Sequence, residues 1–433
     1  MQVTNIQANE LLKRSELPER VREALLRLKG DGNSAFIVGG AIRDIIVKGS
    51  TDDWDIATSA RPERVKQLFP HNAPLGERHG SVMAIFDDGT VDITTFRTEG
   101  AYSDSRRPDS VGYIGDVEQD LSRRDFTMNA MAWDPFEGRL IDPFGGLGDI
   151  SAKIIRAVGD PRERFSEDAL RMLRALRFCS SLCFEVDDGI KDAIKSESRG
   201  IEIISGERKA MELGRIVNGP CASEALALMA ELGLAEAIFP GLDMRLMLKA
   251  AGNIPSLPAD ALLRLAAFIA SSEPEGPQRI QSALSGRLNA LKLPKSAKLH
   301  AVRLAEGLYE GYRLSDGPSI RRWAALLGRE SVSEGLALRS WYDSIFRPAS
   351  DWKAERERAE AILAERPPLA MEDLQIRGSD VVGLLKGEKG PRVKAVMNKI
   401  YLDVLDSPEL NDRQKLLILA WMYIKGDEGG LPQ

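Results

Sequence analysis

Three cysteines and three histidines in 433 residues set the first limits. Cys179, Cys183 and Cys221 are too few for a disulfide framework and fit a reducing cytoplasm. Cys179 and Cys183 are spaced to share a helix face; with no histidine nearby they read as core residues rather than metal ligands. His71, His79 and His300 are too sparse for imidazole-centred acid–base chemistry. Nothing beyond His300 can supply a His-based metal hydrolase domain. No apolar run approaches the ~20 residues of a membrane span. The opening MQVTNIQANELLKRSELPER has no apolar core, so it does not read as a signal peptide. Positive charge is not in excess either. The net charge of -6 argues against a generic nucleic-acid binder and leaves room for a local basic groove on an acidic body.

What is present describes an ordinary soluble chain: 43% hydrophobic and 29% charged residues, long enough for two to four domains. The stretch FIVGGAIRDIIVKGSTDDWDIAT, residues 36–58, organises it. Phe36-Ile37-Val38 reads as a buried strand. Gly39-Gly40 lets the backbone turn sharply and approach a ligand. Ala41 to Val47 has helical spacing, with Arg43 and Asp44 in its first turns, and Gly49-Ser50 ends it. Asp53-Trp54-Asp55-Ile56 reads as a second strand, with Asp53 and Asp55 on one face and Trp54 on the other. Two carboxylates about 7 Å apart on one strand, beside a glycine turn, suit a divalent metal and phosphate. An isolated Asp-x-Asp is more often a solvated turn, so the rest of the chain decides. GGAIRD lacks the third glycine of a dinucleotide fingerprint, and no Gly-Lys-Ser/Thr follows to make a P-loop.

Residues 1–35 read as polar helices, amphipathic from Leu17 to Leu28. Strand signals concentrate in 36–140. Val82 to Phe86 and Val91 to Phe96 flank Asp88-Gly89, a hairpin turn. Asp92 shares a face with Thr94, opposite Val91 and Ile93. That is natural for a third metal-site carboxylate and equally compatible with an edge or solvated position. Residues 97–118 read as a mobile polar loop with a basic point at Arg106-Arg107-Pro108. The run from Leu121 to Asn129 reads as a helix start, and Leu140 to Gly146 as a turn. After about Ser151 the strands mostly stop. Asp168 to Phe178, DALRMLRALRF, is an amphipathic helix opened by Glu167-Asp168, with Leu170, Leu173 and Leu176 in its apolar stripe. Arg171, Arg174 and Arg177 repeat on another face, and a solvated basic face is the ordinary account of such a pattern. Asp168 and Arg171 are i, i+3 neighbours. The remainder is helical, with proline-rich breaks at 254–258, 274–277 and 366–369. Gly390-Pro391 precedes a final long helix pattern from Arg392 to Leu405. A helix start of this kind can hold a phosphate, although a structural turn is the simpler account.

Together these pieces resemble the class II tRNA nucleotidyltransferases, the bacterial CCA-adding enzymes, and their relatives the bacterial poly(A) polymerases. VGGAIRD and DDWDIAT are similar to the family's first motif. VDITTFR resembles the strand carrying its third carboxylate, with Asp92 where many members have Glu. YSDSRRPDSV is similar to its flexible loop and RRDFTMNAMA to its second motif. RAVGDPRERFSEDALRMLRALRF spans its neck and nucleotide-selecting helix, and ISGERKAMEL resembles the motif after it. The resemblance runs from about Phe36 to Gly214, with a looser echo in IRGSDVVGLLKGEKGPRVKAVMNKIYLDVL.

The resemblance implies an α+β fold: a mixed α/β nucleotidyltransferase head over 1–150, then an all-helical neck (151–220), body (221–340) and tail (341–433). It implies two Mg²⁺ ions, CTP and ATP as substrates, and a tRNA 3′ end as acceptor. Asp53 and Asp55 fall on its metal positions, with Asp92 as the third carboxylate. Gly40, Arg43, Arg124, Asp168, Arg171, Arg174 and Arg177 fall on nucleotide-binding positions. No stable protein partner and no membrane are implied, and the expected location is cytoplasmic. Cytosine and adenine each present an amine beside a ring-nitrogen acceptor. Asp168 can accept from the first and Arg171 can donate to the second; uracil and guanine present the reverse. The leading expectation is addition of C, C and A to tRNA. An enzyme adding only A, to tRNA or as poly(A), comes second, and an RNA-binding protein without catalysis third. The loop from Tyr102 to Pro108 speaks against a CC-only enzyme, because in this family those lack it.

Overall fold

The computed structural model describes residues 5–74, 80–99, 111–272, 277–308, 314–348 and 351–428. The chain forms two compact units, Met1–Pro240 and Gly241–Gln433.

The first unit opens with helices α1 (Asn5–Arg14) and α2 (Glu19–Gly30), strand β1 (Ala35–Val38), helix α3 (Gly40–Lys48) and strand β2 (Asp55–Thr58). Helix α4 (Pro62–Leu68) leads to β3 (Asn72–Pro74), β4 (Ser81–Phe86) and β5 (Gly89–Thr95). Then come β6 (Arg97–Glu99), β7 (Val111–Tyr113), α5 (Val117–Ser122), β8 (Ala132–Asp134) and β9 (Arg139–Ile141). Seven strands form one sheet in the order β3-β4-β5-β2-β1-β8-β9. Its pairs are antiparallel except β2 beside β5. Register explains why the sheet holds. Val82, Ile93, Ile56, Ile37 and Trp133 lie side by side across five strands, each no more than 2% exposed. This row is one apolar face; α2, which buries Leu25 and Leu28, packs against β1 and β5. Side chains alternate, so the next row along, Met83, Asp92, Asp55 and Val38, faces the other way. Burying one row therefore fixes where the carboxylates point.

Two sequence readings change between β5 and β8. The ends of the 97–118 segment are strands: Arg97, Thr98 and Glu99 pair with Tyr113, Gly112 and Val111; residues 100–110, with Tyr102 to Pro108, lie outside the described residues. At Leu121 a helix finishes rather than begins. Asp116 caps α5 by accepting from the Glu118 N–H. Just beyond it Arg123 and Arg124 fold back onto the buried Asp120.

Helices follow: α6 (Gly146–Ala152), α7 (Pro161–Glu167), α8 (Leu170–Leu182), α9 (Asp188–Glu197), α10 (Gly206–Asn218) and α11 (Ala222–Glu231). Residues 154–155 and 185–186 add a two-stranded parallel pair. Asp142 starts α6 by accepting from the Gly146 and Leu147 N–H groups. Helix α8 buries Leu170, Met172, Leu173, Ala175, Leu176 and Phe178, and it packs against α10 and α11.

The described part of the second unit is helical, with caps where aspartates precede apolar runs: Asp243, Asp260 and Asp316 each accept from a first-turn N–H. A cluster around Val381, Val396, Ile400, Val404 and Leu416 forms a core near the end of the chain. Helix Pro391–Asp406 begins after Gly390 at φ +114, as the Gly-Pro pair implied. Gly390, Arg377 and Lys394 line a cavity of about 370 Å³ there. Among the described residues no helix is long and apolar enough to cross a membrane.

Candidate active site

Every candidate site residue lines a single cavity of about 1000 Å³ in the first unit. Its acidic side comes from the sheet. The parallel register of β2 and β5 sets Asp55 directly opposite Asp92, about 4.8 Å away backbone to backbone. Asp53 lies just ahead of β2, not within a strand as the alternation implied, and it is exposed while Trp54 is buried at 6%. Burial, and then the charge of Asp53, pushes the Asp55 carboxyl up to about 6; Arg124 pulls it down and Asp92 adds to the rise. Burial and Asp53 raise the Asp92 carboxyl as well. Asp55 and Asp92, both raised and both beside Asp53, offer carboxylate oxygens of the kind a hard divalent cation takes as ligands. Among the described residues no three carboxylate, histidine or cysteine side chains are gathered closely enough to hold a metal ion by themselves.

The glycine turn joins this acidic side to the cationic wall. Gly39 sits at φ +70, a conformation that strains any residue with a side chain, and a Cβ there would also lie 2.7 Å from Nη1 of Arg124, which would have to shift. Gly40 begins α3, whose first turn carries Arg43. The Arg43 guanidinium donates to Asp44 at 2.9 Å and to Oδ1 of Asn129 at 2.6 Å. Arg124 donates to Asp120 and to the Asn129 carbonyl. Desolvation lowers its pKa, against the pull of Asp120.

Opposite lies α8. Asp168 is not in this helix, as the sequence pattern suggested. It follows α7 in extended conformation, two residues before α8 begins. One oxygen accepts from the Leu170 N–H at 3.0 Å and the other from Arg208 at 2.6 Å. Arg171 pairs with Glu167 rather than Asp168, and donates to the Arg164 carbonyl. Arg174 donates twice to one oxygen of Asp125, at 2.8 and 2.5 Å. Burial alone would raise the Asp125 carboxyl; the charge of Arg174 and a hydrogen bond from Asn129 instead hold it well below the usual carboxylate range. Arg177 lies 3.3 Å from Glu212, and desolvation, with Arg174 beside it, lowers its pKa to about 10. The arginine face is therefore not a solvated one: each guanidinium has a carboxylate partner beside the cavity.

Sequence reasoning missed the partners. Asp125 and Asn129 lie in RRDFTMNAMA, from which it took Arg124 alone, and they link Arg43 to Arg174 through an Arg43–Asn129–Asp125–Arg174 chain. Arg208 and Glu212 both lie in ISGERKAMEL, and only the fold that turns α10 toward α8 gives them their partners. The cysteine reading also changes. Cys183 and Cys221 form a disulfide, and Cys179 alone is free and buried. Cys183 caps α8 in the left-handed conformation, off the buried face that holds Cys179. The Cys221 N–H bonds to the Ser180 carbonyl, which brings the two sulfurs together.

Two family models match the chain: the poly A polymerase head domain over residues 35–156, and the probable RNA and SrmB-binding site of polymerase A over residues 183–246. The CCA-adding enzyme of Geobacillus stearothermophilus is 36% identical over 408 residues, 92% of this chain and 94% of its own. That of Bacillus licheniformis is 37% identical over 407 residues, 92% and 96%. The crystal structure of the Bacillus stearothermophilus CCA-adding enzyme in complex with CTP superposes with a TM-score of 0.77 at 30% identity, covering 96% of this chain and all of that one. A sheet that presents paired carboxylates to an arginine-lined helix, matched along nearly the whole chain, places this protein in the family of the CCA-adding enzymes, the tRNA nucleotidyltransferases with a poly(A) polymerase-type head.

Proposed function

We propose that this chain adds C, C and A to the 3′ end of tRNA, using CTP and ATP and releasing pyrophosphate, with no nucleic-acid template. The observation that carries the reading is one cavity with Asp55 beside Asp92 on its floor and the arginines of α8 on its wall. In the reaction a ribose 3′-hydroxyl attacks the α-phosphorus of the incoming nucleotide. Asp53 and Asp55 would hold two Mg²⁺ ions between them and Asp92 would hold the one nearer the 3′-hydroxyl. Bound there, such ions supply positive charge at the attacking and leaving oxygens. Arg43, with the backbone at Gly40, meets the triphosphate, and Arg124 adds charge beside it.

Asp168 accepts from the exocyclic amine of cytosine or adenine, and Arg171 donates to the ring nitrogen. Uracil and guanine would set acceptor against acceptor and donor against donor, at about 1–3 kcal/mol per contact pair. Arg208 supports this reading by fixing one Asp168 oxygen and leaving lone pairs for a base. Arg174 and Arg177 orient this wall or bind phosphate. Residues 1–150 are then the catalytic head, 151–220 the selecting neck, 221–340 the body and 341–433 the tail that grips tRNA, in the cytoplasm.

Labelled CTP and ATP, offered with tRNAs ending before CCA, after CC, or complete, test the proposal. Incorporation of C into the first and A into the second, with none into the third, is expected. Incorporation of A alone would replace this reading with an A-adding enzyme.

A further inference from the structure

One aromatic ring in the cavity gathers three of its cations. The ring of Phe178 is 5% exposed and lines the cavity. The guanidinium carbons of Arg177, Arg43 and Arg174 lie 4.3, 4.9 and 5.8 Å from its centroid. Arg43 comes from α3 and the other two from α8, so the ring joins the two walls. Phe126 holds the ring edge-to-face, with centroids 5.7 Å apart and planes at 87°. Phe126 adjoins Asp125 in the segment that also supplies Arg124 and Asn129.

Three like charges this close repel one another. Their direct carboxylate partners, Asp44, Asp125 and Glu212, are separate groups, and the charges of Asp125 and Glu212 each reach both Arg174 and Arg177. Phe178 is common to all three. A π-face attracts a guanidinium without occupying its N–H donors, which stay available to oxygen ligands in the guanidinium plane. A further carboxylate in place of the ring would take up more of those donors.

Resting on the reading that this cavity takes CTP and ATP, we propose that Phe178 is a positioning residue for the triphosphate. Its ring holds Arg43, Arg174 and Arg177 as one cluster and leaves to a ligand the N–H groups that Asp44, Asn129, Asp125 and Glu212 do not take. It acts on phosphate affinity and not on the base edge, which Asp168 and Arg171 meet further along.

The test compares Phe178→Leu and Phe178→Met, which keep an apolar side chain without the π-face, with the conservative Phe178→Tyr. Full-length protein is assayed for kcat and KM with all four nucleotides on a tRNA lacking its CCA end, and thermal unfolding is recorded for each variant. Leu and Met should raise KM for CTP and ATP about tenfold with kcat within about twofold. The preference for C and A over U and G should stay unchanged, and Tyr should restore KM. KM should also become less sensitive to salt in the Leu and Met variants, since fewer fixed cations face the phosphates. An unchanged KM in two well-folded variants overturns the proposal. So does a fall in kcat alone, or a loss in Tyr equal to that in Leu, since each marks simple packing. Failure of the unaltered protein to incorporate CTP or ATP would count against the functional reading itself, separately from the role of the ring.

Discussion

Replacing Asp168 by alanine separates a base-reading carboxylate from a structural one. The side chain is 16% exposed and that of its partner Arg208 21%, at 2.6 Å. This pair is mostly out of water, so it exceeds the 0–1 kcal/mol of a surface ion pair; truncating one partner leaves a half-buried charge, at about 1–3 kcal/mol of stability. If Asp168 also accepts from the base amine, the alanine variant loses a further contact worth about 1–3 kcal/mol in the transition state, or roughly 5- to 150-fold in kcat/KM. That loss falls on CTP and ATP and spares UTP and GTP. Arg171→Ala should narrow the same preference through the ring nitrogen. Arg208→Ala leaves Asp168 held by the Leu170 N–H alone and should give a smaller loss, about 1 kcal/mol or roughly fivefold, in the same direction. The assay is kcat/KM for the four nucleotides on a tRNA lacking its CCA end, at two salt concentrations. An arginine that only attracts RNA would slow all four alike, with a steep salt dependence. Unchanged ratios among the nucleotides in Asp168→Ala and Arg171→Ala would refute the templating role.

Further measurements address the floor of the cavity and the disulfide. Asp53→Ala and Asp55→Ala should each cut incorporation of both nucleotides by roughly a thousandfold, about 4 kcal/mol, while both variants remain folded; near-normal turnover with Mg²⁺ in either variant would exclude the metal assignment. The Asp55 carboxyl is raised from 3.8 to about 6 in the fold, so the folded state binds its proton more tightly than the unfolded chain does. Its contribution to stability is present below about pH 4 and is lost as pH rises to about 6, at most about 3 kcal/mol. Urea unfolding without metal should show that decline, Asp55→Asn should flatten it, and Mg²⁺ should offset it above about pH 6 but not below; a profile in Asp55→Asn identical to the parent's would contradict the raised carboxyl. The disulfide spans a sequence separation of 38 residues, a loop whose closure is worth about 4 kcal/mol in the chain-entropy model. Protein isolated without reductant should therefore show one thiol in denaturant, and its unfolding midpoint should drop on reduction. Three thiols would mean that the bond does not form in solution.

What the sequence by itself determined was the local part of this protein. The apolar run at Phe36 to Val38, the Gly39-Gly40 turn, the Asp88-Gly89 hairpin and the stripe of α8 were all legible, because strand alternation, turn chemistry and helical periodicity each act over a few residues. Gly39 stands at the turn for a physical reason: its positive φ strains any residue with a side chain. The ordered motifs then singled out the carboxylates and arginines that line one cavity. Only the tertiary structure decided who partners whom. Asp55 meets Asp92 because two strands far apart in the chain pair in parallel with one register, and no local pattern encodes register between distant strands. Asp168 and Arg171 are good i, i+3 neighbours on an ideal helix. The chain leaves α7 at Asp168 before α8 begins, and their charges go to Arg208 and Glu167. The Cys183–Cys221 bond has the same origin. Compartment chemistry and cysteine count argued against it, while the packing of α11 on α8 sets the two Cα atoms 5.4 Å apart. Ion pairs and disulfides link residues that are distant in sequence, so they follow from how helices and strands are stacked, and that stacking is a property of the whole first unit.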